Sequence, residues 1–413
     1  MNPSKGRAAI IALAQCLPFP PHSGVTNRIY HILTGLQKRF DIFLVPFLRR
    51  LNHPSPEAAD AAHAVLSREL VWTADPIRIP GEWNSVRWTF NHLASALSPH
   101  PFIRYEYADS QFPRAIRSAL GKCTPSLVHA DSLDLYHWFQ EIPGVPLAVT
   151  HHNIESDLLR IRAGVARTFL VREYIELQAR RIEALERSWA PRVASNVMMS
   201  NIDAERLRLI APGCRTFVVP NGVDIDYFKR VGTAPTKSND IVFVGPTAIY
   251  PNRQAVDWFL EGSWSAVRRA VPSAVLNLVG ATRPADVSRY QGVPGVKVHG
   301  YVPDVRPYLQ AAACSIVPIQ VGGGTRLKIL DAWSMGTPVV STSLGCEGLE
   351  TVDGENIVIR DDPGQFAEAV IAIVRDPARG GRSGSAGRET AEKLYGWDAI
   401  TRRLADHYEE LIG

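Results

Sequence analysis

Short apolar runs and amphipathic stretches alternate along the whole chain, the pattern of parallel sheets covered by helices. In the first half, buried strands are predicted at 8–14, 42–46, 127–130, 147–150, 197–200 and 216–219. Each is continuously apolar or nearly so, as a strand covered on both faces must be. Positions 158–189 are rich in Arg and Glu, lack Pro, and read as one or two exposed helices. The second half restarts the alternation. Strands are predicted at 240–245, 274–280, 296–301, 315–319, 338–342 and 356–360, and helices at 252–270, 304–313, 325–335 and 363–375. A Gly/Ser/Arg-rich stretch at 379–388 precedes the last helices, and 397–411 is amphipathic.

Two α/β domains follow from this pattern and from a length of 413 residues, too many for one ordinary core. The expected division is an N-terminal domain at 1–228, a polar linker at 229–239 and a C-terminal domain at 240–395. A last helix at 396–413 is free to cross back to the first domain. With 46% hydrophobic and 21% charged residues, the composition is that of a globular chain. The net charge of +4 is modest, and the surplus lies in residues 1–200. Five cysteines in no zinc-like spacing fit a reducing compartment. The apolar run 8–14 is too short for a membrane span and reads as a buried first strand. The expected location is cytoplasmic, with peripheral contact at the inner membrane face left open.

Candidate chemistry concentrates in Val321-Gly322-Gly323-Gly324-Thr325-Arg326-Leu327-Lys328-Ile329-Leu330-Asp331, between a strand and a helix. Glycines let the backbone approach a ligand, and a helix start near Thr325 offers unpaired N–H groups and a partial positive charge. Arg326 and Lys328 add two full charges. Such a segment suits two linked phosphates on which negative charge grows as a bond to them breaks. Asp331, about two turns into the helix, is placed to accept from a ribose or sugar hydroxyl; the bland reading is a solvent-facing carboxylate.

The stretch 322–341, with Met335-Gly336-Thr337-Pro338-Val339-Val340, resembles the signature of family 4 retaining glycosyltransferases. Pro220-Asn221-Gly222-Val223-Asp224 with Phe228, and Phe243-Val244-Gly245, resemble further landmarks of that family. The resemblance implies a GT-B fold: two Rossmann-like doubly wound domains facing each other across a cleft, with a nucleotide diphosphate sugar held by the second. It implies transfer of that sugar, with retention and without a metal or other cofactor, to a glycan, lipid-linked or small-molecule acceptor. Gly245 joins Gly322, Gly323, Gly324, Thr325 and Asp331 in the implied donor site. Two departures stand out. Gly323 and Asp331 occupy the positions of the family's paired glutamates, and Pro246–Asn252 lacks the family's Arg and Lys. Arg326 and Lys328 are expected to supply the missing charge.

In the first half, Pro20-Pro21-His22-Ser23-Gly24 resembles the family's loop beneath the donor phosphate. Ser23 and Gly24 are read either as phosphate contacts or as an ordinary strand–helix turn. Thr150-His151-His152-Asn153-Ile154-Glu155 ends a strand, where α/β proteins place ligands. His152 matches the family's histidine and is expected to touch the donor sugar or orient the acceptor. Glu347 is read equally as a nucleotide contact or a turn residue. Asp224-Ile225-Asp226 has a metal-binding spacing, but it lies in the interdomain landmark, and no metal is expected. Interleaved Arg and Glu exclude a nucleic-acid surface. Two alternatives stay open: a non-catalytic nucleotide-sugar-binding protein, and a nucleotide-sugar epimerase on the same scaffold.

Overall fold

A computed structural model of the chain describes residues 6–166, 168–230, 239–322 and 327–413. These residues form two compact units. One holds the described residues up to Pro220 together with Ile400–Gly413; the other is Asn221–Ala399. The division falls at Pro220, ahead of the expected 228. The segment after Asn221 is drawn into the second unit because Val223 N–H donates to Tyr395 O (2.8 Å) and Arg388 donates to Phe228 O (2.8 Å). Most of the expected linker, residues 231–238, lies outside the described residues.

The first unit is built on β1 (Ala9–Ala14), β2 (Asp41–Leu48), β3 (Trp72–Thr73), β4 (Ile77–Arg78), β5 (Pro125–Ala130), β6 (Leu147–His151), β7 (Ser195–Met198) and β8 (Thr216–Val218). The order is β3-β2-β1-β5-β6-β7-β8, with β4 also on β2, and every pairing is parallel. Leaving β4 aside, this is a doubly wound arrangement whose order reverses between β1 and β5. The two-residue strands β3 and β4 were not legible, being too short to carry a period.

The first crossover helix, Gly24–Leu36, starts with Ser23 accepting from Thr26 N–H (3.2 Å) and buries Ile29, Ile32, Leu33 and Leu36 along one stripe. The long Arg/Glu-rich stretch resolves into helices Glu155–Gly164 and Phe169–Trp189. The C-terminal helix Trp397–Ile412 docks its later turns on this unit. Tyr408 OH meets His129 Nδ1 at 2.6 Å, and His407 stacks on Phe217 with ring centroids 3.8 Å apart. All five cysteines are free thiols; four are buried and Cys123 is half-buried.

The second unit contains β9 (Asp240–Val244), β10 (Val275–Val279), β11 (Val296–Gly300), β12 (Cys314–Val317), β13 (Val339–Ser341) and β14 (Val358–Ile359). Their order is β11-β10-β9-β12-β13-β14, all parallel, with the reversal between β9 and β12. Its core packs Ile241, Phe243, Leu276, Ile316, Trp333 and Phe366 without gaps to solvent. The helix expected at 252–270 is a helical run, Tyr250–Phe259 and Ser265–Ala270, joined through a π-turn at Leu260–Trp264. There Gly262 lies so close to Pro363 that a Cβ would sit 2.6 Å from the ring, and Ser263 Oγ donates to Pro363 O (2.7 Å).

One expectation is corrected outright. The Gly/Ser/Arg-rich stretch 379–388 lies inside a helix, Pro377–Thr390. Asp376 caps it by accepting from Ala378 and Arg379 N–H (3.1 and 3.0 Å). Its glycines are contact points: a Cβ on Gly384 would lie 2.2 Å from Gly336 O, and one on Gly387 would lie 2.4 Å from the Trp333 ring. Tertiary packing outweighs the poor helix propensity of glycine.

Candidate active site

In the second unit, three chain segments converge where the strand order reverses, the place at which open α/β sheets bind ligands. The first is Gly245-Pro246 after β9. Gly245 has φ +154°, and Gly280 after β10 has φ +140°; a Cβ on Gly280 would strike the Gly245 carbonyl carbon and oxygen at 2.5 Å. Both strand ends can therefore approach only as glycines. The second segment is the start of helix Tyr250–Phe259. The third follows β12, where Gly322 (φ +111°) faces Pro251.

The described part of the signature helix, Leu327–Ser334, carries Lys328 into this junction. Its ammonium donates to Asn252 Oδ1 at 2.7 Å and sits 4.6 Å from the Phe243 ring centroid. Asn252 Nδ2 in turn donates to Pro246 O at 3.1 Å. A Cβ on Gly245 would come within 3.1 Å of Lys328 Nζ. A fixed cation thus lies directly against Gly245, where a side chain would displace it. One turn further, half-buried Asp331 has its carboxyl pushed up to about 7, chiefly by burial, with Lys328 pulling the other way. Gly323, Gly324, Thr325 and Arg326 lie outside the described residues. Glu347 follows β13 at the same sheet edge, half-buried behind the single turn Leu344–Cys346.

In the first unit, the corresponding reversal brings Asp131, directly after β5, beside the end of β1: its N–H donates to Leu13 O at 2.9 Å. His152, one residue past β6, places Nε2 3.0 Å from Asp131 Oδ1. The other Asp131 oxygen is buried without a hydrogen-bond partner among the described residues. His151 points the opposite way, as alternation in a strand requires. It is buried against Asn196 Oδ1 (2.9 Å), and burial lowers its pKa to about 4. Arg28, also buried, donates to Val219 O and Pro220 O (both 2.8 Å) and faces the Asp131 charge; burial lowers its pKa to about 10.

Ser23 is committed to its helix. Its N–H donates to Thr26 Oγ1 (2.9 Å) while its hydroxyl caps Thr26 N–H, so the first-turn amides left by helix geometry are those of Gly24 and Val25. Asp224 Oδ1 accepts from Asp226 and Tyr227 N–H (3.1 and 2.9 Å), a turn that accounts for the acidic pair. Among the described residues, no three His, Cys, Asp or Glu side chains converge on one point.

Asp131 and Arg28 were missed by sequence reasoning. Asp131 had a signal, since it immediately follows a strand at the reversal; Arg28 had none. Asn252 was visible only as a departure from the family pattern, because its bond to Lys328 spans 76 positions.

Comparison with known proteins identifies the family and the fold. The family described as "Glycosyl transferases group 1" matches residues 238–376, and "Glycosyltransferase Family 4" matches residues 22–227, together well over half of the chain. A phosphatidyl-myo-inositol mannosyltransferase of Mycobacterium tuberculosis is 24% identical over 238 residues, 54% of this chain and 61% of that protein. The chain spans between about a third and three fifths of the length of the curated relatives it matches. Among solved structures, sucrose-phosphate synthase from Thermosynechococcus elongatus superposes with TM-score 0.68 at 17% identity, covering 98% of this chain and 99% of that one. Anabaena Alr3699/HepE in complex with UDP and glucose gives TM-score 0.66 at 14% identity, covering 97% and 100%. The chain belongs to the family 4, or group 1, glycosyltransferases and has their GT-B fold.

Proposed function

We propose that the protein transfers a sugar, with retention and without a metal, from a nucleoside diphosphate sugar to a glycan, lipid-linked or small-molecule acceptor. The observation that carries this reading is the junction of Gly245, Asn252 and Lys328 at the strand-order reversal of the second unit, a cation held in place beside a glycine. That arrangement suits a diphosphate leaving group, whose charge grows as the bond from its oxygen to the sugar anomeric carbon breaks. In this reading the acceptor oxygen bonds to that carbon on the face the phosphate leaves. The acceptor proton passes to the departing phosphate oxygen, so no separate base is required. Gly322, Gly323, Gly324, Thr325 and Arg326 extend the cradle, Asp331 and Glu347 serve the sugar or nucleotide hydroxyls, and Gly24 offers a first-turn amide. His152, oriented by Asp131, touches the donor sugar or the acceptor.

UDP in the complex of the Anabaena neighbour and the mannosyltransferase name of the mycobacterial relative support a nucleotide-sugar donor. The test is a thermal-shift panel of nucleoside diphosphates and their sugars, UDP first, followed by slow hydrolysis of the stabilising donor without acceptor. Stabilisation with release of nucleoside diphosphate and free sugar supports the transferase. Stabilisation with no turnover would return the reading to a non-catalytic binder, and a changed sugar still attached to the nucleotide would make it an epimerase.

A further inference from the structure

A cavity of about 220 Å³ opens in the first unit between helix Pro56–Glu69 and the ends of β2 and β4. Its deeper lining is apolar: Leu48 and Ala59 are buried, beside half-buried Trp83. Its rim carries three charges, all exposed. Asp60 comes from the helix, Asp75 from the segment between β3 and β4, and Arg78 from the last position of β4.

Those charges are unpaired in a unit where surface ion pairs are common. Arg39 meets Asp406 and Glu409, Arg117 meets Glu141, and Arg160 meets Asp157. Among the described residues, the side chains of Asp60, Asp75 and Arg78 have no hydrogen-bond or ion-pair partner. Arg78 lies over the Trp83 ring, 5.0 Å from its centroid, and the buried Trp83 indole N–H also lacks a partner among the described residues.

A carboxylate only accepts hydrogen bonds, and a guanidinium or indole N–H only donates them. A cation in this cavity would oppose Arg78, and an anion would oppose Asp60 and Asp75. A sugar ring suits both signs, because each hydroxyl donates and accepts while the C–H face of the ring covers the apolar lining. The volume lies below the range of about 300–1,000 Å³ that holds drug-sized ligands, so one ring fits and a nucleotide does not. We infer that this cavity binds one uncharged sugar ring. It lies at the same carboxyl edge of the sheet as His152, with β2 three strand spacings, about 14 Å, from β6. On the transfer reading, on which this last step rests, the ring is a non-reacting unit of a glycan acceptor more than one ring long.

The first test uses the full chain without donor: saturation-transfer NMR with the methyl glycosides of glucose, galactose, mannose and N-acetylglucosamine. At least one should bind, with a dissociation constant of about a millimolar. Asp60→Ala and Asp75→Ala should each weaken that binding about tenfold, with the unfolding midpoint unchanged because both side chains are exposed. The second test adds the donor that the nucleotide panel identifies. Transfer to short oligosaccharides of the bound sugar should exceed transfer to its methyl glycoside, and Asp60→Ala should abolish the difference. A folded chain that binds none of the four glycosides, one that takes glycine in their place, or binding that survives both aspartate variants overturns the ring site. Equal transfer to both acceptors, or transfer to neither while the donor is still hydrolysed, overturns the acceptor role. Absence of all turnover counts against the transfer reading and leaves the ring site standing.

Discussion

Replacing Lys328 by alanine removes the one described cation of the proposed phosphate cradle without disturbing a core position. The ammonium is held before any ligand arrives, 2.7 Å from Asn252 Oδ1 and against the Phe243 ring, so binding costs it little further ordering. A unit charge pair about 4 Å apart at an effective dielectric of about 20 is worth about 4 kcal/mol. Neighbouring amides retain part of that, leaving a loss of about 3 kcal/mol, or about 10²-fold in kcat/KM for the nucleotide sugar. Asn252→Ala keeps the charge but removes its anchor. A hydrogen bond to a charged group is worth about 1.5–3 kcal/mol, and water recovers some of it, so about tenfold is expected. Because Asn252 acts through Lys328, the double variant should be no worse than Lys328→Ala alone. The assays are steady-state donor consumption and calorimetric titration with the nucleoside diphosphate. A folded Lys328→Ala variant within about threefold of wild type, a change of less than about 1 kcal/mol, would refute the electrostatic reasoning. Fully additive losses in the double variant would refute the claim that Asn252 works through the lysine.

Three further outcomes are expected. His152→Ala should lower kcat by about 10–10²-fold, the loss of one hydrogen bond to the reacting donor or acceptor, with nucleoside diphosphate binding retained, and Asp131→Asn should share the direction with a smaller loss, read by the same two assays. Gly384→Ala, whose new Cβ would lie 2.2 Å from Gly336 O, should destabilise the chain by several kcal/mol, whereas Gly381→Ala, with nothing within 4 Å, should raise stability by about 0.5–1 kcal/mol; denaturant unfolding compares them. Asp331 holds its proton more tightly folded, to about 7 against an ordinary 3.8, so stability should fall as pH rises between those values, and Asp331→Asn should flatten that window in a series of unfolding curves.

Twelve of the fourteen strands among the described residues were readable because a buried parallel strand is largely apolar, as 8–14 and 42–46 are; 296–301, at the sheet edge, is only partly so, and the two-residue β3 and β4 carry no such run. Gly322 after β12 and the histidine after β6 stood out in the sequence because the carboxyl edge of such a sheet is where ligands bind, and strand ends mark that edge. The stretch 379–388, expected ahead of the last helices, lies inside one because the close approach of its glycines to Gly336 and Trp333 outweighs their poor helix propensity.

What the chain determined by itself is therefore local: where the backbone is buried, where it turns, and which charged side chains follow a strand. What only the tertiary structure decided is pairing at a distance. Lys328 meets Asn252, His152 meets Asp131, and helix 377–390 lies against Gly336 because strand order and register place those segments side by side. A hydrogen bond or a glycine contact is set to within a few tenths of an ångström, and no periodicity along one segment carries that information about another.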